Sequence, residues 1–134
     1  RLLGRQKRLL PALLMIKKGL VKSAHDCSEG GFAVALAESC ILAKGQEIGA
    51  SIKDEVGALS KEAYLFGETQ SRVVISADPK NLNQLQELII SSGLAHKRLG
   101  TVGGPALTID GLIDCPLEVL ANAWRNAIKR RMEL

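Results

Sequence analysis

The sequence predicts an α+β domain in which a mixed β-sheet is packed with helices. Three observations carry this. Strand-like and helix-like segments alternate irregularly along the 134 residues instead of repeating as βα units. No Gly-rich first turn of the kind a parallel dinucleotide-binding sheet wants opens the chain. Late in the sequence, Gly103-Gly104-Pro105 separates two strand-like runs and signals a hairpin. A chain of this length is read as one domain, residues 1–134, long enough for a real core.

The elements follow in order. Pro11 near the start of an apolar run and Gly19 past its end predict a helix from about Pro11 to Lys18. Leu20 to Ala24 then makes a short strand leading into a turn at His25-Asp26. Phe32 to Ala43 is apolar almost all round and rich in Ala, which predicts a helix covered on most sides. Ser28 is its expected N-cap, Glu29 falls in the first turn, and Lys44-Gly45 closes it. Ile48 to Ile52 reads as a strand, and Ser60 caps a short helix through Phe66, ended by Gly67. Arg72 to Ala77 is the clearest strand, with three β-branched residues in succession. Asp78-Pro79 starts a helix whose face carries Leu82, Leu85, Leu88 and Ile89 up to Gly93. His96 to Val102 and Ala106 to Ile109 are the strands on either side of the late turn, and Asp110-Gly111 is a further turn. Pro116 opens the last helix, with Leu117, Leu120, Trp124 and Ile128 on one face and Lys129-Arg130-Arg131 at its end.

Composition narrows the function classes. Apolar residues make up 46% of the chain, which argues against disorder. No apolar run reaches the roughly 18 residues of a membrane span, and no signal-peptide pattern is present. The net charge of +4 is unevenly laid out. Seven bases and no acid precede Asp26; Ser23 to Trp124 holds seven bases against 13 acids; four bases and one acid follow Trp124. Four aromatic residues, none interleaved with the basic runs, do not suit a nucleic-acid surface. Three cysteines without a Cys-x-x-Cys pair fit a reducing, cytoplasmic compartment. The chain starts at Arg1, from which a fragment of something larger is expected.

Two polar runs stand out against this scaffold. In Ala24-His25-Asp26-Cys27-Ser28-Glu29-Gly30-Gly31, two acids flank a strand-to-helix turn with two glycines. A helix N-terminus attracts phosphate, and a magnesium ion between Asp26 and Glu29 would reconcile the acids with it. Equally, Asp26 and Ser28 can cap the helix while the glycines allow close packing. Cys27 can be a nucleophile or a small packed side chain. The second run is Phe66-Gly67-Glu68-Thr69-Gln70-Ser71-Arg72. Its Glu68 lies past a helix C-terminus, where the dipole disfavours an acid. It either forms a surface ion pair with Arg72 or belongs to a polar cluster with Gln70, Ser71 and Arg72 that holds a ligand or a neighbouring domain. If the strands beside the two runs are antiparallel, both runs fall on one sheet edge.

The first run, continued by Ala33 to Glu38, closely resembles the C-terminal part of phosphoribosylformylglycinamidine synthase, the large synthetase subunit of purine biosynthesis. Leu65 to Val74 resembles a second motif of that family, and Leu99-Gly100-Thr101-Val102-Gly103-Gly104 fits its late turn. The likeness spans roughly residues 20 to 112 in order. It implies a fold like the C-terminal domain of the aminoimidazole ribonucleotide synthetase family. It also implies a part in an ATP-dependent carbon–nitrogen ligase that turns formylglycinamide ribonucleotide and ammonia, drawn from glutamine, into formylglycinamidine ribonucleotide. The substrate amide oxygen is phosphorylated and ammonia then displaces it, with ATP and magnesium required by the full-length enzyme. The implied partners are the upstream ATP-binding domains of the same chain and a glutaminase subunit or domain. Asp26 matches a family magnesium ligand, and Glu68, Thr69 and Gln70 match a substrate-contacting triplet. They fall in the half whose site is structural, and the catalytic residues lie upstream. No activity and no cofactor are therefore expected of this domain alone. The matching domain of a related ATP-dependent enzyme (aminoimidazole ribonucleotide synthetase or selenophosphate synthetase) is an alternative, as is a free-standing interaction module with basic ends.

Overall fold

The computed structural model describes residues 15–27, 29–42, 47–54, 57, 60–68 and 72–132. Their elements are β1 (Ser23–Asp26), α1 (Gly31–Ile41), β2 (Ala50–Ile52), α2 (Lys61–Phe66), β3 (Val73–Ser76), a 3-10 turn (Pro79–Asn81), α3 (Leu82–Ser91), β4 (Gly100–Val102), β5 (Ala106–Ile109), β6 (Ile113–Pro116) and α4 (Leu117–Met132). The chain divides into two compact units, residues 1–24 with 75–98 and residues 25–74 with 99–134.

In the first unit, Met15 to Lys17 are helical and Gly19 leaves them at φ 66°. The start of the helix expected from Pro11 lies outside the described residues. Met15 and Leu20 pack with Leu85 and Ile89 of α3, on the face the leucine spacing predicts. Asp78 accepts from the Lys80 N–H, so Pro79 opens a single 3-10 turn before the α-helix proper.

The second unit carries a four-stranded sheet in the order β4-β2-β5-β6. β2 runs antiparallel to β4 and parallel to β5, and β5 is antiparallel to β6, so the sheet is mixed as expected. The expected hairpin about Gly103-Gly104-Pro105 does not form. β4 and β5 do not pair with each other, because β2 lies between them. Gly49 makes this possible: it donates to the Gly104 carbonyl and accepts from the Gly103 N–H, and a Cβ there would meet the Ala106 oxygen at 2.2 Å. The hairpin sits one strand later, where Asp110 and Gly111 (φ 67°) turn β5 into β6, a strand that the sequence pattern leaves as loop.

Ala50 and Ile52 of β2, Leu107 and Ile109 of β5 share one face and enter the core with α1, Tyr64 and Leu65 of α2, and Leu117 and Ala121 of α4. α1 is covered on most sides, with Gly31, Phe32, Ala33, Ala35, Leu36, Cys40 and Ile41 all buried. It begins at Gly31, not at Phe32, and ends at Ile41; Ala43, Lys44 and Gly45 lie outside the described residues. The strand expected over Leu20 to Ala24 is displaced to Ser23–Asp26, since Leu20 is spent on the core of the first unit. Trp124 is a correction too: the apolar spacing places it on the packed face of α4, but it is 49% exposed. Among the described residues no helix is long and apolar enough to cross a membrane.

Candidate functional site

β1 and β3 pair, and two hydrogen bonds give their sense. Lys22 N–H donates to the Ser76 carbonyl and Cys27 N–H to the Arg72 carbonyl, so partner numbers fall as β1 advances. The strands are antiparallel. The end of β1, with Asp26, therefore meets the start of β3, with Arg72. The two polar runs converge in the second unit.

The meeting is held by groups of opposite character. The N-cap of α1 is Gly30 at φ 79°, with no side-chain cap of its own, so Glu29 precedes the helix instead of lying in its first turn. Ser28, the expected cap, lies outside the described residues. The capping acceptor arrives from 38 residues away: Gly30 N–H donates to Glu68 Oε1 at 3.1 Å. Gly31, at φ 81°, lies directly against the end of α2; a Cβ there would stand 2.6 Å from the Phe66 carbonyl carbon and 2.9 Å from the Leu65 oxygen. The positive end of α1 thus abuts the negative end of α2, with the Glu68 carboxylate at the junction. Against α2 alone an acid at this position is unfavourable; against α1 it is a favourable cap. Phe32 and Tyr64 continue the contact one turn inward as an edge-to-face pair with centroids 5.4 Å apart.

Arg72 ties the second run to itself. Its Nη2 donates to the Gly67 carbonyl at 3.0 Å, while its own carbonyl receives the Cys27 N–H. Of the two readings of this run, the Glu68–Arg72 ion pair is not the one observed: each charge goes to main chain, Glu68 on α1 and Arg72 on the C-cap of α2. Arg72 Nε is buried without a hydrogen-bond partner. Thr69 and Gln70 lie outside the described residues.

The electrostatics follow from this packing. Cys27 is 1% exposed. Burial pushes its thiol up, the Arg72 guanidinium offsets part of the rise, and the Asp26 carboxylate adds to it. A buried thiol held protonated is a packed side chain rather than a nucleophile. Tyr64 donates to Asp54 Oδ2 at 2.6 Å, and burial together with that bond and charge holds its phenol well above the ordinary range, against the pull of Arg72. Asp26 and Glu29 are both exposed. Among the described residues no three His, Cys, Asp or Glu side chains cluster to hold a metal. The donor set of this turn is at most two carboxylates. That suits a magnesium ion whose other ligands are phosphate oxygens and water, and no metal that needs a full protein cage. Sequence reasoning found both acid-bearing turns but missed that the partner of Glu68 is a backbone amide. A glycine pair at a helix start with no side-chain cap of its own is the signal that a cap comes from elsewhere.

A mixed sheet with helices packed on it puts the domain in the α+β class. The model of the family described as AIR synthase related protein, C-terminal domain, matches residues 2–110, and the chain belongs to that family. Among curated proteins it is 42% identical over 120 residues to phosphoribosylformylglycinamidine synthase subunit PurL of Anaeromyxobacter sp. (strain K), an alignment covering 84% of this chain and 16% of that protein. It is 39% identical over 136 aligned positions to the PurL subunit of Caldanaerobacter subterraneus subsp. tengcongensis, covering 98% of this chain and 18% of the relative. The chain thus spans about a sixth of the length of the curated relatives it matches. Its fold is shared with Thermotoga maritima PurL complexed with ATP, at a TM-score of 0.68 and 21% identity, over 86% of this chain and 21% of that one.

Proposed function

We propose that this chain, residues 1–134 taken as one evolutionary domain, is the C-terminal domain of phosphoribosylformylglycinamidine synthase. In this reading it serves an ATP-dependent ligase of purine biosynthesis in the cytoplasm. That enzyme phosphorylates the amide oxygen of formylglycinamide ribonucleotide and lets ammonia displace the phosphate, giving the amidine, ADP and phosphate. The observation that carries the reading is the 39% identity that runs across 98% of this chain while filling only 18% of the relative. The trans-capped joint supports it, because the two runs that resemble the family are the two halves of that joint.

Within this reading the domain supplies structure. Asp26 is the one candidate to reach a magnesium ion, which would neutralise phosphate charge. Glu68, Thr69, Gln70 and Arg72 are the candidates for contact with a ligand or the upstream ATP-binding domains. A glutaminase subunit or domain supplies ammonia. The domain by itself catalyses nothing.

The test is a chimera. The C-terminal segment of the Caldanaerobacter relative is replaced by this chain, and formation of formylglycinamidine ribonucleotide from its amide, ATP and ammonia is measured. The reading expects synthase activity in the chimera and none in this chain alone. A folded chimera without activity overturns it.

A further inference from the structure

We propose that the outer half of α4 is a docking helix. Its Trp124–Met132 face seats in an acidic-rimmed apolar groove on the upstream part of the same polypeptide. The proposal rests on the reading of the chain as the end of a synthase.

The helix begins as part of the core and then runs out of it. Leu117 and Ala121 are buried and Leu120 packs beside them. At about 100° per residue, Trp124 lies about 20° from Leu117 around the helix, and Met132 about 20° from Ala121. The same stripe therefore continues outward, and it emerges into solvent: Trp124 is 49% and Met132 81% exposed. From Asn122 on, no described side chain is buried. Met132 stands about 16 Å along the axis beyond Ala121. A free helical segment of this length is marginal in water, so it needs a surface to lie on. Within this chain its one described side-chain tie is the ion pair from Arg125 to Glu47.

Two facts choose the occupant. The family model ends at residue 110, before α4 begins. The Caldanaerobacter PurL alignment nevertheless covers 98% of the chain, which leaves room to omit only a few residues and so includes the body of α4. The helix is thus part of the likeness to the synthase, and more than four fifths of such a synthase lies outside this chain. Charge gives the rim: beyond Arg125, which pairs with Glu47, the sequence holds three bases against one acid, which favours an acidic border around the groove.

Trp124 is the single tryptophan of the chain and reports its own burial. The experiment labels it with 5-fluorotryptophan, in this chain alone and in the full-length chimera. The Trp124 resonance of the chimera is assigned by its loss in Trp124→Phe. In the isolated chain the resonance is expected to move between light and heavy water, as an exposed ring does. In the chimera that solvent shift is expected to be lost, and Trp124→Glu is expected to lower the melting temperature of the chimera while leaving that of the isolated chain unchanged. An active chimera whose Trp124 keeps its solvent shift overturns the docking proposal and leaves the synthase reading standing. A chimera that fails to fold or to react overturns both. Loss of the solvent shift in the isolated chain on raising its concentration, or on adding vesicles of anionic phospholipid, makes a second copy or a membrane surface the occupant and also overturns the proposal. Equal destabilisation of both forms by Trp124→Glu does the same, because the ring then matters inside this domain.

Discussion

Replacing Gly31 by alanine tests the joint between α1 and α2 most directly. Two costs add. A non-glycine residue at φ 81° pays left-handed strain of about 1–2 kcal/mol. The new methyl carbon would lie 2.6 Å from the Phe66 carbonyl carbon, 2.7 Å from its Cα and 2.9 Å from the Leu65 oxygen. All three atoms are backbone, so relief requires the two helices to part, an overpacking cost of about 1–3 kcal/mol. Removing glycine's freedom from the unfolded chain returns about 0.4–1 kcal/mol. The net loss is about 2–4 kcal/mol, or a drop of about 1–2 M in the urea midpoint at an ordinary slope for a chain of this size. Gly111→Ala is the control. It stands in the same unit at φ 67°, and a Cβ added there would meet nothing within 4 Å, so it pays strain alone and should lose no more than about 1.5 kcal/mol. Urea titration followed by helical circular dichroism measures both. Equal losses in the two variants would refute the close approach of α1 to α2.

Further outcomes follow from the same geometry. Glu68→Ala removes the cap on Gly30 and should cost about 0.5–1 kcal/mol, and combining it with Gly31→Ala should give a loss that departs from the sum, because parting the helices already breaks the bond; strict additivity in a double-mutant cycle would contradict the shared joint. Tyr64→Phe should cost about 1–2 kcal/mol through its bond to Asp54. The phenol titrates higher in the folded chain than in the unfolded one, so its contribution is whole below the ordinary tyrosine range and is lost as pH climbs through and beyond it; urea midpoints of wild type and Tyr64→Phe should converge at alkaline pH, and a constant gap would be evidence against the pair. Cys27 and Cys40, buried with raised thiols, should resist iodoacetamide near neutral pH while the half-buried Cys115 is labelled first, as peptide mass spectrometry would read. In the chimera, Asp26→Ala should lower synthase activity or assembly, and unchanged kinetics and melting would remove Asp26 from the site.

Much of the fold was legible because local chemistry and tertiary packing agree. Ser60 accepts from the Ala63 N–H and Gly67 ends α2 where the sequence places them. α1 reads as a covered helix because seven of its 11 residues are indeed buried. The failures occur where a long-range partner decides. The Gly103-Gly104-Pro105 turn has hairpin chemistry, but a strand from fifty residues earlier slips between its arms, and only Gly49 hints at the close backbone approach involved. β6 is short and contains Asp114 and Pro116, so its residues argue against a strand; it forms because it is an edge, with Asp114 exposed and Pro116 last in line. Glu68 reaches the N-cap amide of α1 from 38 residues away, which no local pattern reveals. Trp124 has the right angular position for the core and the wrong axial one: periodicity fixes the face of a helix, not how far along it the neighbours extend.

The two runs that read as separate motifs are one piece of structure. Asp26, Cys27, Gly30 and Gly31 on one side and Phe66, Gly67, Glu68 and Arg72 on the other exchange main-chain hydrogen bonds, a trans cap and a contact too close for a side chain. Each half is unfavourable alone. A helix start with left-handed glycines has no side-chain cap, and a glutamate past a helix end opposes the dipole. Together each supplies what the other lacks. The same reciprocity takes up the Gly30 amide, one of the N–H groups that the N-terminus of α1 could offer to an anion. The joint is thus a packed structural element, with Asp26 and Glu29 exposed at its margin.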